Sequence, residues 1–282
     1  MLFFVFLILV IGLGWVFSYV FNERGILVFA VIFSLISAVI SYSSSDGIAL
    51  ALARAKPITK NDNSYLWNMV ENLCITAGLP MPRIYVSGEL QINAFATGRN
   101  PKRAAIVVTQ GTLERLENEE LEGVLAHELS HIGNRDILVS TVAVILAGVI
   151  SLLADFFIRS LVFGGRGRGN NRAGGPLILL GIVLSILAPF AAMLVRLAIS
   201  RKREFLADAS GALLTRYPEG LAKALEKISN DDTKMQFAAH DATAHLCLDA
   251  PYKGKVSWLH KLFMTHPPIN ERIKILRGLK ML

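Results

Sequence analysis

Four long apolar blocks set the rhythm of this chain, and polar stretches with shorter periodicities fill the intervals. Leu2 to Phe21 carries no charge and, at about 20 residues, has the length a helix needs to cross a bilayer. A second uncharged block, Ile26 to Ser45, follows after only Asn22-Glu23-Arg24-Gly25, which predicts a tight hairpin of two spanning helices. A cleaved signal peptide would want a basic start and a small-residue cleavage site, and this segment has neither. Blocks three and four, Ile137 to Ala154 and Ala173 to Val195, predict a second helix pair with a kink at Pro189.

Between blocks two and three the pattern changes. Leu66, Met69, Val70, Leu73 and Ala77 repeat at helical spacing and stop before Gly78 and Pro80, so Asn61 to Ala77 reads as an amphipathic helix. Three short β-like runs follow, Arg83 to Ser87, Asn93 to Thr97 and Ala104 to Thr109, separated by Gly88, Gly98 and Asn100-Pro101. Leu121, Leu125, Leu129 and Ile132 then recur on one face of a helix that Asn118 can cap and Gly133-Asn134 can stop, with Glu119, Glu120 and Glu122 at its positive end. Glu204 to Leu282 is polar and largely helical. The expected fold is a mainly α membrane protein with four hydrophobic helices and an α+β polar domain carrying a small β-sheet. Its parts are a hairpin over 1–45, the first piece of the polar domain over 46–136, a second hydrophobic pair over 137–199, and the rest of the polar domain over 200–282.

Composition agrees with this division. A chain of 282 residues with 53% hydrophobic and 18% charged residues is too apolar for an ordinary soluble domain. Its net charge of +7 sits mostly beside the apolar blocks, so the partner it indicates is the lipid bilayer surface and not nucleic acid. The hairpin tip holds only Arg24, whereas Arg54, Lys56 and Lys60 follow block two, which orients that end, and the polar domain after it, toward the cytoplasm. The second pair cannot be oriented in this way, because Arg159, Arg166, Arg168 and Arg172 between the blocks balance Arg135, Arg201, Lys202 and Arg203 outside them. A full-length hairpin and a shallow or re-entrant one both remain open. The run Gly164 to Gly175 is a flexible Gly/Arg linker, since no strand feeds it and its spacing is not that of a nucleotide loop. Cys74 and Cys247 form no CxxC pair and read as small buried hydrophobes in a reducing compartment.

The chemistry is concentrated in His127-Glu128-Leu129-Ser130-His131. Residues four apart share a helix face, so both histidines can direct a ring nitrogen at one zinc ion, with Glu128 beside them as a general base for a water. A catalytic zinc wants three protein ligands and one open position. The extended pattern with a third histidine is excluded, because Asn134 and Ile137 stand where its glycine and histidine belong. Between Glu128 and Arg203 there is no other glutamate, and the only acids are Asp136 at the edge of block three and Asp155 beyond it. Glu204, opening a helix after block four, is therefore the expected third ligand. Asp208, four residues on, can accept the free imidazole N–H of a bound histidine. A donor facing the developing oxyanion is still required, and His266, before Pro267-Pro268 and the last helix, is the candidate. His240, His245 and His260 read as structural or surface residues.

His127 to His131 together with Arg201-Lys202-Arg203-Glu204-Phe205-Leu206-Ala207-Asp208 resembles the paired signature of the HtpX-type membrane zinc metalloproteases, gluzincins related to the CAAX prenyl endopeptidases. The resemblance extends to Asn93-Ala94-Phe95-Ala96-Thr97-Gly98, to the order of hydrophobic blocks, and to His266-Pro267-Pro268 with Arg272. It implies a zincin-type endopeptidase of the bacterial inner membrane, multi-pass, with its active site facing the cytoplasm and acting on misfolded or damaged membrane proteins in quality control and stress response. It implies one Zn2+ per chain on His127, His131 and Glu204, with Glu128 activating water and His266 and Arg272 steadying the tetrahedral intermediate. Asn93 and Ala94 would lie on an edge strand that pairs with substrate backbone. Self-association, or contact with other membrane quality-control proteases, stays open.

Overall fold

The computed structural model describes residues 2–21, 24–43, 45–139, 201–233 and 267–279. Block three beyond Val139, the Gly/Arg linker, block four and His266 lie outside these residues. The chain divides into two compact units, the first holding everything up to Ser43 and the second resuming at Ser44.

In the first unit, α1 (Leu2–Phe21) and α2 (Arg24–Ser43) are 20-residue helices packed on each other. Each spans about 30 Å at the α-helical rise. Phe4, Trp15, Tyr19, Phe29 and Val39 are exposed on them, a concentration of bare apolar surface that water-soluble proteins avoid. Taken over the residues with described side chains alone, no helix is long and apolar enough to cross a membrane. The uninterrupted backbone of α1, read with its own sequence, is nonetheless a 20-residue helix without a charge.

The second unit opens with α3 (Ser45–Leu52) and β1 (Lys56–Pro57), a short strand the hydrophobic pattern does not announce. Next comes α4 (Ser64–Ala77), where Asn63 Oδ1 accepts from Leu66 N at 2.9 Å and Gly78 takes the left-handed conformation, φ 65°, that closes the helix. β2 (Arg83–Ser87), β3 (Ala94–Gly98) and β4 (Ala104–Thr109) follow, and then α5 (Gln110–Arg115). The strand order is β1-β2-β4-β3, with β2 and β4 parallel and the outer pairings antiparallel. Ile106 faces Ala96, and Val108 faces Ala94, so β3 is the last strand on its side among the described residues.

α6 (Asn118–Gly133) packs across this sheet, and Leu121, Leu125, Leu129 and Ile132 are all buried, as the period predicts. They meet Ile106 and Val108 from the sheet and Leu66, Val70 and Leu73 from α4 in one core. The cap differs from expectation by one residue. Glu117 holds the N-cap position and its backbone N–H donates to Glu120 Oε2 at 2.8 Å, whereas the Asn118 side chain accepts from Tyr65 Oη at 2.6 Å. An acidic first turn allows either register, and the contact with α4 decides it.

α7 (Arg201–Thr215), α8 (Pro218–Asn230) and α9 (Ile269–Gly278) complete the unit. Two glycines allow α7 and α8 to lie close to α6. A Cβ on Gly211 would sit 3.0 Å from His127 N, and one on Gly123 would sit 2.6 Å from Leu221 N. Glu204, Asp208 and Gly211 share a face of α7 at spacings of four and three, so the glycine that seats α7 on α6 also presents both carboxylates to His127.

Candidate metal centre

Three side chains from two helices converge. One ligand atom each from His127, His131 and Glu204 lies within 4.8 Å of the others. The two Nε2 atoms are 3.2 Å apart, Glu204 Oε1 is 3.5 Å from His131 Nε2, and Glu204 Oε2 is 3.9 Å from His127 Nε2. Bond lengths of 2.0–2.2 Å around a tetrahedral zinc put neighbouring ligand atoms about 3.3–3.6 Å apart. The donor set fits such an ion, two of its edges are within about 0.1 Å of that range, and the third, between His127 Nε2 and Glu204 Oε2, is wider by about 0.3 Å. His127 and Glu204 are buried, and His131 keeps a 15% exposed side chain, an opening toward solvent on one side.

Both imidazoles are held from behind. His127 Nδ1 lies 2.9 Å from Asp208 Oδ1, within ion-pair distance but out of hydrogen-bond alignment, and His131 Nδ1 meets Asp136 Oδ2 at 3.3 Å. Carboxylates in these places favour the tautomer that leaves Nε2 as the free ligand atom. Asp208 is itself gripped by Arg272, whose Nε and Nη2 donate to its two oxygens at 2.8 and 2.7 Å. Burial opposes its charge, but Arg272 and His127 more than offset this and hold Asp208 at about 2. The remaining nitrogen, Arg272 Nη1, stands 3.8 Å from Glu204 Oε2 and makes no hydrogen bond among the described residues. Arg272 thus meets the site through Asp208 and beside Glu204, completely buried.

Glu128 is buried next to these groups, and Ala96 N–H, on β3, donates to its Oε2 at 2.7 Å. Burial raises the Glu128 carboxyl above its ordinary range and nearby Glu204 adds to this, against the opposing pull of His127, His131 and the Ala96 amide. A carboxylate with raised basicity is a better proton acceptor near neutral pH. His131 is held at about 8: burial disfavours its proton, and Asp136, Glu204 and Glu128 outweigh that.

Of the other residues named from sequence, Ala94 begins β3 and Asn93 precedes it, with its backbone N–H donating to Thr112 Oγ1 at 2.8 Å and its carbonyl accepting from Thr109 N at 3.0 Å. Those bonds moor the entry of β3 to α5. Three participants escaped the sequence reading: the Ala96 amide, Asp136 and Arg203, whose Nη1 donates to Asp136 Oδ1 at 3.0 Å. Asp136 was visible only as an acid beside block three. Its return to His131 depends on a turn at Arg135, φ 60°, that no glycine signals.

Two histidines and a glutamate around one point, with a carboxylate base on the same helix as the histidines, define a metallopeptidase of the HExxH kind. The comparisons agree: residues 60–280 match Peptidase family M48, and the chain belongs to that family. It is 47% identical over 280 residues to a "Protease HtpX homolog" of Caldanaerobacter subterraneus subsp. tengcongensis, covering 97% of this chain and 92% of that protein. It is 46% identical over 282 residues to a protein of the same description from Thermoanaerobacter pseudethanolicus, covering 98% and 92%. Among solved structures, S. mikatae Ste24p shares the fold, with a TM-score of 0.51 at 18% identity, over 93% of this chain and 61% of that one.

Proposed function

We propose that this metallopeptidase is a zinc-dependent endopeptidase of the bacterial inner membrane, its active site facing the cytoplasm, that hydrolyses peptide bonds of misfolded or damaged membrane proteins. The observation that carries the reading is the meeting of His127, His131 and Glu204 within 4.8 Å, with Glu128 on the same helix. The uncharged helix α1 and the exposed apolar side chains of α1 and α2 support anchoring in lipid.

His127, His131 and Glu204 would hold the zinc ion, which when bound acidifies a water and polarises a carbonyl. Glu128 takes the proton of the attacking water and passes it to the leaving amine. The Ala96 amide fixes the carboxylate for this exchange, so a strand position and a helix position are locked together at the reacting centre. β3 is terminal in the sheet order among the described residues and buried as it stands, so an extended substrate would lie along its edge, with Asn93 and Ala94 at its start, only once that edge is uncovered. Pairing through backbone groups favours unfolded segments over particular side chains. His266 and the Arg272 cation are the candidates for steadying the tetrahedral intermediate, Arg272 from its place behind Glu204.

The test is degradation of an unfolded membrane protein by the purified chain. Glu128→Ala should lower the rate by at least about 100-fold while zinc content stays near one per chain. Chelation should abolish cleavage and zinc should restore it. A metal-free wild type that cleaves at full rate would refute the assignment.

A further inference from the structure

The site holds two relays of the same composition. His127 leans on Asp208, which is gripped by Arg272; His131 leans on Asp136, which is gripped by Arg203. The first relay lies among packed helices. The second stands where the chain leaves the domain toward block three and returns from block four. Resting on the metal reading above, we propose that Asp136 and Arg203 form a second positioning relay, which sets the His131 imidazole for metal binding and ties it to both roots of the segment between them.

Four observations bear on this. Asp136 is only 6% exposed, a burial that an isolated carboxylate resists unless its charge is answered. Its two oxygens are divided, Oδ2 toward His131 Nδ1 and Oδ1 toward Arg203 Nη1, so one group transmits position to the other. Arg203 immediately precedes Glu204, so the salt bridge also fixes where the third ligand enters. Finally, α6 stops at Gly133 and the chain turns at Arg135 in the left-handed region, φ 60°. A non-glycine residue held there is strained. That turn is what brings the Asp136 carboxylate back to a histidine five residues earlier. A helix continuing through these positions would carry it half a turn away.

Arg203 acts through Asp136, and this separates a positioning role from ordinary surface pairing. The experiment titrates full-length, detergent-purified chain with zinc against a chromophoric chelator. Asp136→Asn should weaken zinc binding about 10- to 100-fold when measured well below the melting temperature of the metal-free variant. Arg203→Gln should weaken it less, Arg203→Lys should recover most of the loss, and the double variant should bind no worse than Asp136→Asn alone. Wild-type affinity in Asp136→Asn, or losses that multiply in the double variant, would overturn the relay. Should Asp136→Asn fail to fold, the Gln and Lys variants at Arg203 decide, and equal affinities in both and in wild type overturn it. A wild-type chain that binds no zinc would sink the metal reading instead, so the two failures are told apart.

Discussion

Arg272 shows how much of this site is maintained by residues set behind the ligands. Its guanidinium is wholly buried, and two of its nitrogens neutralise Asp208. Removing one member of a buried ion pair leaves the other charge stranded, which costs about 3–5 kcal/mol. Arg272→Met should therefore lower stability by that amount in urea unfolding and weaken zinc binding through His127. Cys74 is a simpler case. Burial holds its thiol up at about 11, above the unfolded value, so the stability it contributes is present below about pH 9 and lost as pH rises toward 11. In a Cys247→Ser background, Cys74 should resist alkylation at pH 8 until the protein is unfolded, and Cys74→Ala should flatten the fall in stability between pH 9 and 11. At this scale the sequence is readable where chemistry has a period. His127 with His131, and Glu204 with Asp208, stand four apart and must share helix faces. Asp136 and the Ala96 amide obey no period: one arrives by a turn at Arg135 and the other by sheet placement.

Among the elements, α6 and α7 form the working pair, and their separation is set by Gly211. A Cβ there would press on the His127 backbone at 3.0 Å, too close for a rigid helix to yield without moving. Gly211→Val should cost about 1–3 kcal/mol and lower zinc affinity, since α7 carries Glu204 and Asp208. Gly278→Ala, which meets open space, should leave both unchanged. Isothermal titration and thermal unfolding would read the pair of variants. The strands from Arg83 and Ala104 are legible to the residue because β-branched and apolar residues end at clear turn signals. β1 is not, since two residues at Lys56-Pro57 carry no pattern and their pairing with β2 exists only in three dimensions. The cap of α6 stands at Glu117, one position before the one its pattern predicts, for the same reason, as a contact with Tyr65 engages Asn118.

For the molecule as a whole, the apolar blocks predict a chain sewn through lipid; α1 coincides with the first block, and α2 begins two residues ahead of the second, at Arg24, and ends at Ser43. The positive-inside argument makes this testable. In a background of Cys74→Ala and Cys247→Ser, Arg24→Cys should react with a membrane-impermeant maleimide from the periplasmic side of intact cells, and Lys60→Cys only after lysis. The reverse pattern would invert the proposed orientation. The sequence predicts that a hydrophobic insertion divides the polar domain, and the third ligand sought beyond that insertion is found beside the two histidines at Glu204.

The spread of the site along the chain has one more consequence. His127 is oriented by Asp208, and Asp208 is neutralised by Arg272, so a chain not yet extended to residue 272 has all three ligands but holds the carboxylate behind His127 without its cation. A half-made copy, still emerging from the ribosome, therefore carries the motif before the group that steadies it has been added.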